Sequence, residues 1–301
     1  MKKIELNTKT KPGKKKGGRF WWSLIRSKSG FLGFLIVIVV ILVALFAPFV
    51  APYDPYEMNL KNRLQQPTLS ISEKGEIPHI MGTDSIGRDL FSRIVYGSRI
   101  SLILGITASV LGGTVGILLG TLAAFYRGKL DSIISWMINV QLAFPFTLLA
   151  IFILAVFGSG LEKLVLVLAW GSWVSYARVI RGQVLTVKEK EYVDAGKVIG
   201  VGNFGLMWKY ILPNAISPVI VVATFTVASV ILSEASLSFL GLGVSPEIPA
   251  WGGMLGDGRN YLQDSWWIAT FPGLAILFTV LGLNLFGDWL RDYFDPRLRY
   301  E

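Results

Sequence analysis

The chain has 301 residues, of which 52% are hydrophobic and only 16% charged, whereas about 25% of the residues in a soluble domain are charged. This composition is typical of a protein that lies mostly within a membrane. The chain contains no cysteine, which excludes disulfides, a thiolate nucleophile and a cysteine-ligated metal. Its one histidine, His79, has no second imidazole with which to share a metal ion.

The net charge of +9 is concentrated at the start of the chain. Ten of the 29 lysines and arginines lie in residues 1–30, ahead of the first apolar run. A basic tail in this place is typical of a cytoplasmic flank that contacts anionic lipid headgroups, so we expect the lipid bilayer as a partner and no nucleic acid. The apolar run that follows is too long for a cleaved signal peptide.

Six stretches are long and apolar enough, or nearly so, to cross a bilayer as helices, which requires about 20 residues each. We therefore predict an all-α fold, a polytopic membrane bundle of six transmembrane helices. A first helix at 31–51 precedes an external loop at 52–99, and a core of five helices fills 100–290. The predicted spans are residues 31–51, 100–126, 133–157, 162–180, 217–240 and 267–290.

An even number of spans places both termini on one side of the membrane. If that side is the cytoplasm, 21 of the 29 lysines and arginines lie in or beside cytoplasmic segments, which agrees with the positive-inside rule. The sequence thus predicts a multi-pass protein of the cell membrane with a cytoplasmic tail at 1–30, an internal cytoplasmic loop at 181–216 and a cytoplasmic C-terminus at 291–301.

The predicted external loop at 52–99 has two parts. The first is rich in proline and polar residues, which predicts irregular structure. The second, "GTDSIGRDLFSR" from Gly82, places apolar residues at helical spacing among charges and predicts an amphipathic helix on the outer membrane surface. Such a helix either lies on that surface alone or docks an external partner.

Two patterns within the spans concern packing and polarity. Gly112, Gly116 and Gly120 fall four residues apart, which predicts the close approach of another helix. Polar residues in spans are costly against lipid, so we expect them to face protein or a wet pathway. Glu234 has no lysine or arginine in its own span. The residues in question are Asn139, Gln141, Pro145, Glu234 and Asn284.

No motif in the chain supplies energy or catalysis. The phosphate-binding pattern G-x-x-x-x-G-K-[ST] is absent, as are G-x-S-x-G and H-E-x-x-H. We expect neither enzymatic activity nor a bound cofactor or metal, so a partner must supply the work if the chain moves a solute. An ion-coupled carrier that uses Glu234 and a non-transporting membrane scaffold remain as alternatives.

The polar stretch at 181–216 is the longest internal cytoplasmic loop. "KEKEYVDAGKVIG" predicts a short helix with Tyr192, Ala195 and Ile199 on one face and Gly200 at its end. Asn203 is expected to cap a second short helix that closes at Pro213. The pair would present an apolar ridge suited to a groove of another protein.

This loop resembles the EAA loop of bacterial ABC importer permeases, whose pattern is E-A-A, three residues, G, nine residues, I, one residue, L-P. The spacing matches throughout, with Asp for Glu, Gly for the second Ala and Tyr for Ile. The resemblance implies that the loop couples the chain to an ATPase, with Tyr192 and Val193 beside the motif. The matching residues are Asp194, Ala195, Gly196, Gly200, Tyr210, Leu212 and Pro213.

Further motifs in the same order resemble the C-type permease of dipeptide and oligopeptide importers, among them "FYRGKLD", "SEASLSFLGLG", "PAWGGMLGDGRNYL" and "GDWLRDYFDPRLR". The resemblance implies a type I ABC importer permease fold and a complex with a B-type permease subunit, two cytoplasmic ATPase subunits that bind ATP and magnesium, and an external binding protein. The two outer segments would dock that binding protein. The implied cargo is a peptide, with nickel chelates or oligosaccharides as alternatives within the family.

Overall fold

A computed structural model describes residues 16–69 and 77–295, with side chains from residue 20 onwards. Most of the basic tail, at 1–15, lies outside the described residues. Helices and irregular connections make up the described part, which contains one isolated β-bridge between Thr83 and Asp89. Five helices are long and apolar enough to cross a membrane, or six spans if one bent pair counts as one.

The helices follow one another in a simple chain order. The first half contains α1 Lys16–Arg26, α2 Lys28–Leu45, α3 Ala47–Val50, α4 Leu90–Tyr126, α5 Gly128–Ala143 and α6 Phe146–Phe157. The second half contains α7 Leu161–Lys188, α8 Glu191–Val198, α9 Asn203–Gly205, a π-helix at Leu206–Ile211, α10 Leu212–Ala215, α11 Ser217–Phe239, α12 Trp251–Gly258 and α13 Trp267–Phe294. Two short 3₁₀ turns lie at Leu60–Asn62 and Arg259–Tyr261.

The amphipathic helix expected on the outer surface is not a separate element. α4 begins at Leu90 and runs without a break to Tyr126, so the expected surface helix is non-helical before Leu90 and its remainder is the start of α4. Asp89 is the N-cap of α4, because its Oδ2 accepts a hydrogen bond from the Ser92 amide at 2.8 Å. At 1.5 Å per residue, 37 residues extend for about 55 Å, well beyond a hydrocarbon layer of about 30 Å.

The third predicted span is also not a continuous helix. α5 and α6 meet at an angle of 85°, with Phe144 extended between them. The reason is Pro145, because the ring of a proline disfavours the helical conformation in the residue before it. The pair forms a broken span or a re-entrant loop where the sequence predicts a straight helix at 133–157.

The glycine stripe of α4 packs as predicted, against α7 of the same chain. A Cβ atom on Gly112 would lie 2.5 Å from the Ala169 carbonyl oxygen, and one on Gly116 would lie 2.3 Å from that of Trp173. One on Gly120 would lie 2.4 Å from the Ala177 oxygen. The three glycines therefore allow two backbones to approach at distances that no larger residue permits.

The N-terminal helices wrap around α13 rather than forming only a loose tail. Leu24 on α1 is fully buried, and the Phe20 ring meets that of Trp289 edge to face at 4.9 Å. Gly30 on α2 packs against the same tryptophan, where an added Cβ would lie 2.4 Å from the ring. The expected tail at 1–30 thus contains a helix at Lys16–Arg26 and the first turn of the first span.

The charged residues that follow Gly82 make contacts within this chain. Asp84 Oδ2 accepts from Arg88 Nε at 2.6 Å, and the guanidinium of Arg93 donates to the Pro55 oxygen at 3.2 Å and to the Pro246 oxygen at 3.4 Å. All three charged side chains are buried. These charges join the loop before α4, α4 itself and the connection between α11 and α12, and docking of an external partner stays a prediction.

Candidate functional site

The loop at 181–216, predicted to be cytoplasmic, connects α7 to α11 and is helical for most of its length. α7 continues past the predicted end of its span to Lys188, and Lys190 precedes the first residue of α8. Glu191 and Asp194 occupy the first turn of α8 and Lys197 the last, which matches the polarity of the helix dipole. The predicted short helix is therefore confirmed, at Glu191–Val198.

Gly200 ends α8, as predicted. Its φ of +85° is the left-handed conformation that glycine adopts without steric cost. The Gly200 amide donates to the Lys197 oxygen and the Val201 amide to the Gly196 oxygen, each at 3.0 Å. These two bonds form a complete Schellman motif, which satisfies the last carbonyls of the helix.

The second half of the loop differs from its prediction at both ends. Gly202 is the N-cap, and Asn203 is the first helical residue with no capping bond from its side chain. Pro213 does not close the helix but lies in the first turn of α10, after the π-helix at Leu206–Ile211. Proline has no amide hydrogen to donate within a helix, and the first turn of a helix needs none. The π-helix ends just before it, where the Leu212 amide donates to the Met207 oxygen five residues earlier.

One face of α8 packs against the rest of the loop. Val193 is fully buried, and a Cβ on Gly196 would lie 3.0 Å from Leu206 Cδ2. Val193 and Leu206 belong to one hydrophobic cluster that reaches Ile180 on α7 and Val219 on α11. The inner face of the loop is thus continuous with the adjoining ends of α7 and α11. Close-packed interiors of this kind transmit displacement.

The exposed side of α8 carries the charged residues Glu191, Asp194 and Lys197 and, beside them, an apolar strip that we call the ridge. Tyr192 is 42% exposed, Val198 86% and Ile199 74%. Ala195 is exposed between them, and we include Phe204 on α9, 73% exposed, in the ridge. The sequence prediction of a ridge through Tyr192, Ala195 and Ile199 is confirmed. It missed Val198 and Phe204, which hydropathy alone marks as unusual in a polar loop.

The residues of the predicted coupling motif therefore divide between two faces. Asp194, Ala195 and Gly200 are exposed, whereas Gly196 is buried and contacts only the loop itself. The Tyr210 carbonyl oxygen accepts from Asn214 Nδ2 at 2.7 Å and from the Tyr192 hydroxyl at 3.5 Å. Leu212 is half-buried and Pro213 exposed at the return to the membrane.

Charged contacts join the base of the loop to the neighbouring helices. Arg181 forms a bidentate pair with Asp131 on α5, at 2.7 and 2.8 Å. Lys188 Nζ donates to the Phe125 oxygen at the end of α4, at 2.6 Å. Bidentate guanidinium–carboxylate pairs fix orientation as well as distance. These contacts therefore hold α4, α5 and α7 in a defined arrangement at the base of the loop.

The polar residues predicted within the spans do not converge on one site. Gln141 accepts from Trp173 Nε1 at 2.6 Å and donates to the Trp170 oxygen at 2.8 Å, which joins α5 to α7. Glu234 is buried, and its Oε1 accepts from Ser238 Oγ at 2.7 Å while Oε2 has no partner among the described residues. Asn139 is exposed and Asn284 half-buried.

His79 lies in the loop between α3 and α4 and contacts Asp89 and Tyr53 there. Its Nδ1 lies 2.8 Å from Asp89 Oδ1, and its ring stacks on Tyr53 at 4.7 Å. In the described ranges, no group of three or more His, Cys, Asp or Glu residues is arranged to hold a metal ion.

Two sequence families match this chain. Residues 116–300 match the binding-protein-dependent transport system inner membrane component, and residues 17–67 match the N-terminal TM domain of oligopeptide transport permease C. The di/tripeptide transport system permease protein DppC of Pseudomonas aeruginosa is 42% identical over 93% of this chain and 92% of its own. The glutathione transport system permease protein GsiD of Pectobacterium atrosepticum is 41% identical over 76% of each chain.

Among solved structures, the fold resembles the MetNI methionine ABC transporter in an inward-facing conformation. The TM-score is 0.56 at 19% sequence identity, over 67% of this chain and 97% of the other. This similarity supports the fold of a type I ABC importer permease. The chain is therefore a multi-pass membrane protein that belongs to the family of binding-protein-dependent transport system inner membrane components, the permeases of ABC importers.

Proposed function

We propose that this chain is the C-type permease subunit of a peptide importer, in which it forms the membrane pathway together with a B-type permease. The relatives support a peptide cargo, because those compared are a di/tripeptide permease and a glutathione permease. A second relative named for dipeptides, DppC of Haemophilus influenzae, is 39% identical over 93% of this chain. Glutathione is itself a peptide, so the names agree in chemical class.

The ridge is the contact with an ATPase subunit. The observation that carries this proposal is an apolar surface on a helix of only eight residues, exposed beside a face packed into the core of the spans. An exposed apolar patch of this kind is typical of a binding site for another protein. The ridge would enter a groove of the ATPase in the helix-in-groove mode.

The remaining partners of the proposed complex are those that the resemblance to peptide importers implies. Two cytoplasmic ATPase subunits bind ATP and magnesium, an external binding protein delivers the peptide, and both termini of this chain are cytoplasmic. The chain itself binds no cofactor and has no enzymatic activity. Nucleotide binding then shifts the permease between inward and outward states by differential affinity of the ATPase pair for the two states.

Substitution of Ala195 by arginine tests the coupling proposal. Ala195 is exposed in the middle of the ridge, so Ala195→Arg adds a charge to the docking surface without entering the core. We expect loss of peptide uptake and of stimulated ATP hydrolysis in the reconstituted complex. Thr186→Arg is the matched control, because Thr186 is exposed on α7 outside the ridge.

Two results would contradict the proposal. Uptake by Ala195→Arg equal to that of Thr186→Arg would separate the ridge from coupling. Uptake driven by an ion gradient in vesicles that contain this chain alone would contradict the need for an ATPase.

A further inference from the structure

A groove runs between α7 and α11 from the middle of the spans to their cytoplasmic ends. Its inner part is a cavity of about 290 Å³, which α6 also lines through Phe146. Its cytoplasmic part is a wider cavity of about 830 Å³. Val222 and Phe225 line both cavities, so the two parts form one continuous groove.

Hydroxyl groups line the inner part of this groove. Thr226, Ser229 and Ser233 are spaced three and four residues apart on α11, so they lie on one face of the helix. We call these three the hydroxyl stripe, and α7 opposes it with Ser172 and Ser175. Among the described residues, none that lines this inner part is charged, whereas Arg291 and Asp295 line the cytoplasmic mouth.

The other faces of α11 are occupied by neighbouring helices. Ile231 and Val227 contact the position of Gly105 on α4, and Thr224 contacts that of Gly287 on α13. The hydroxyl stripe lies on another face of α11, on which Thr226 is buried, Ser233 half-buried and Ser229 exposed.

Several of the hydroxyls are free. Thr226 Oγ1 donates to the Val222 oxygen at 2.8 Å, and Ser172 Oγ donates to the Ala169 oxygen at 3.0 Å. Within the described part of the chain, the hydroxyls of Ser175, Ser229 and Ser233 have no hydrogen-bond partner. Exposed polar groups without partners are unfavourable against lipid, so this face is suited to a wet pathway or a polar ligand.

The chemistry of the groove fits the peptide main chain. A hydroxyl both donates and accepts, and every peptide presents amide donors and carbonyl acceptors whatever its side chains. The uncharged lining offers no partner for a charged side chain, and Phe146 and Phe225 supply apolar walls. A volume of about 290 Å³ lies near the lower limit of small-ligand sites, about 300–1,000 Å³.

We propose that the hydroxyl stripe, opposed by Ser175, binds the main chain of the transported peptide inside the membrane and does not select its side chains. This proposal rests on the proposed function, in which the second permease subunit closes the open side of the groove. Side-chain selection would then belong to other parts of the complex.

Thiol labelling tests whether peptide occupies the groove. The chain contains no cysteine, so Ser229→Cys and Ser233→Cys each introduce a single thiol with little change in size. In the complex trapped with ATP and vanadate, we expect both thiols to react with a water-soluble methanethiosulfonate reagent. Dialanine delivered by the binding protein should slow that reaction at least threefold.

Thr107→Cys is the matched control for labelling. Thr107 is an exposed hydroxyl on α4, away from the groove, and it donates to the Ile103 oxygen at 2.5 Å. Its thiol should show no protection by dialanine. Thiols at 229 and 233 that react without protection, or that do not react because the second permease covers them, would overturn the proposal.

Transport kinetics test whether main chain or side chain is recognised. The double variant Ser229→Ala, Ser233→Ala should lower uptake at subsaturating dialanine by about 3- to 10-fold, the range expected for lost hydrogen bonds. Peptides with lysine or glutamate side chains that the native complex carries should lose the same factor. A loss that depends on side-chain charge, or no loss, would overturn main-chain binding. Failure of the native complex to take up any peptide would instead overturn the proposed function.

Discussion

At the residue scale, the adjacent residues Ala195 and Gly196 of the loop lie in different surroundings. Ala195 points to solvent on the ridge, whereas Gly196 is buried against Leu206. The resemblance placed both residues in the motif implied to couple the chain to an ATPase. Periodicity identifies a face of a short helix, but it does not say which face the rest of the chain covers, because the packing of Leu206 depends on the π-helix.

Gly200 and Gly202 form a matched pair for testing the end of α8. Neither has an atom within 4 Å of an added Cβ, but Gly200 has φ +85° while Gly202 has φ −65°. Gly200→Ala should destabilise the loop by about 1–2 kcal/mol, the cost of a left-handed conformation in a residue with a Cβ. Gly202→Ala should have little effect.

Hydrogen exchange measures this difference. Amides of α8 should exchange about 5- to 30-fold faster in Gly200→Ala, which corresponds to the expected loss of local stability. Equal exchange in the two variants would show that the backbone of Gly200 is not what holds the end of α8.

At the element scale, the sequence predicted where helices lie better than where they join or break. The spans at 217–240 and 267–290 correspond to α11 and α13. The joining of a surface helix to α4 depends on buried contacts of Arg93 with two loops, which no local pattern reveals. The break at Pro145 was readable in principle, because the residue before a proline is biased away from helix.

Two glycine-to-alanine substitutions, one in the glycine stripe of α4 and one on α7, should change the stability of the protein in opposite directions. Gly116→Ala should lower the free energy of unfolding by about 1–3 kcal/mol, because its Cβ would meet the backbone of α7 at Trp173. Gly182→Ala on α7 should raise it by up to about 1 kcal/mol, since that exposed position has open space and alanine favours helix.

The midpoint of the thermal transition in detergent, followed by tryptophan fluorescence, checks both variants. The midpoint should fall for Gly116→Ala and stay constant or rise for Gly182→Ala. A shift of the same sign and size in both would contradict the close approach of α4 and α7.

At the scale of the whole molecule, one hydrophobic cluster connects the loop to the spans. It includes Val193 on α8, Ile180 on α7 and Ala124 on α4. The spacing of the EAA motif identified the loop for which we propose a coupling role. The free hydroxyls of the groove were missed, because the prediction followed rare charged and amide residues such as Glu234, although serines at helical spacing in 217–240 were visible.

The orientation of the molecule is itself a prediction. Leu60 is 68% exposed in the outer loop and Val198 is 86% exposed on the ridge. In intact cells stripped of their wall, an impermeant maleimide should label Leu60→Cys but reach Val198→Cys only after permeabilisation. The reverse pattern would place both termini outside and would remove the ridge from the cytoplasm.

Cross-linking of the ridge tests the central claim most directly. In the assembled complex, a short thiol-to-amine reagent on Val198→Cys should join this chain to an ATPase subunit, with a yield that changes when ATP is added. Thr186→Cys, exposed on the same side but outside the ridge, should give little product. If Val198→Cys gives no product with the ATPase in a complex that imports peptide, the ridge is not where ATP hydrolysis acts on this permease.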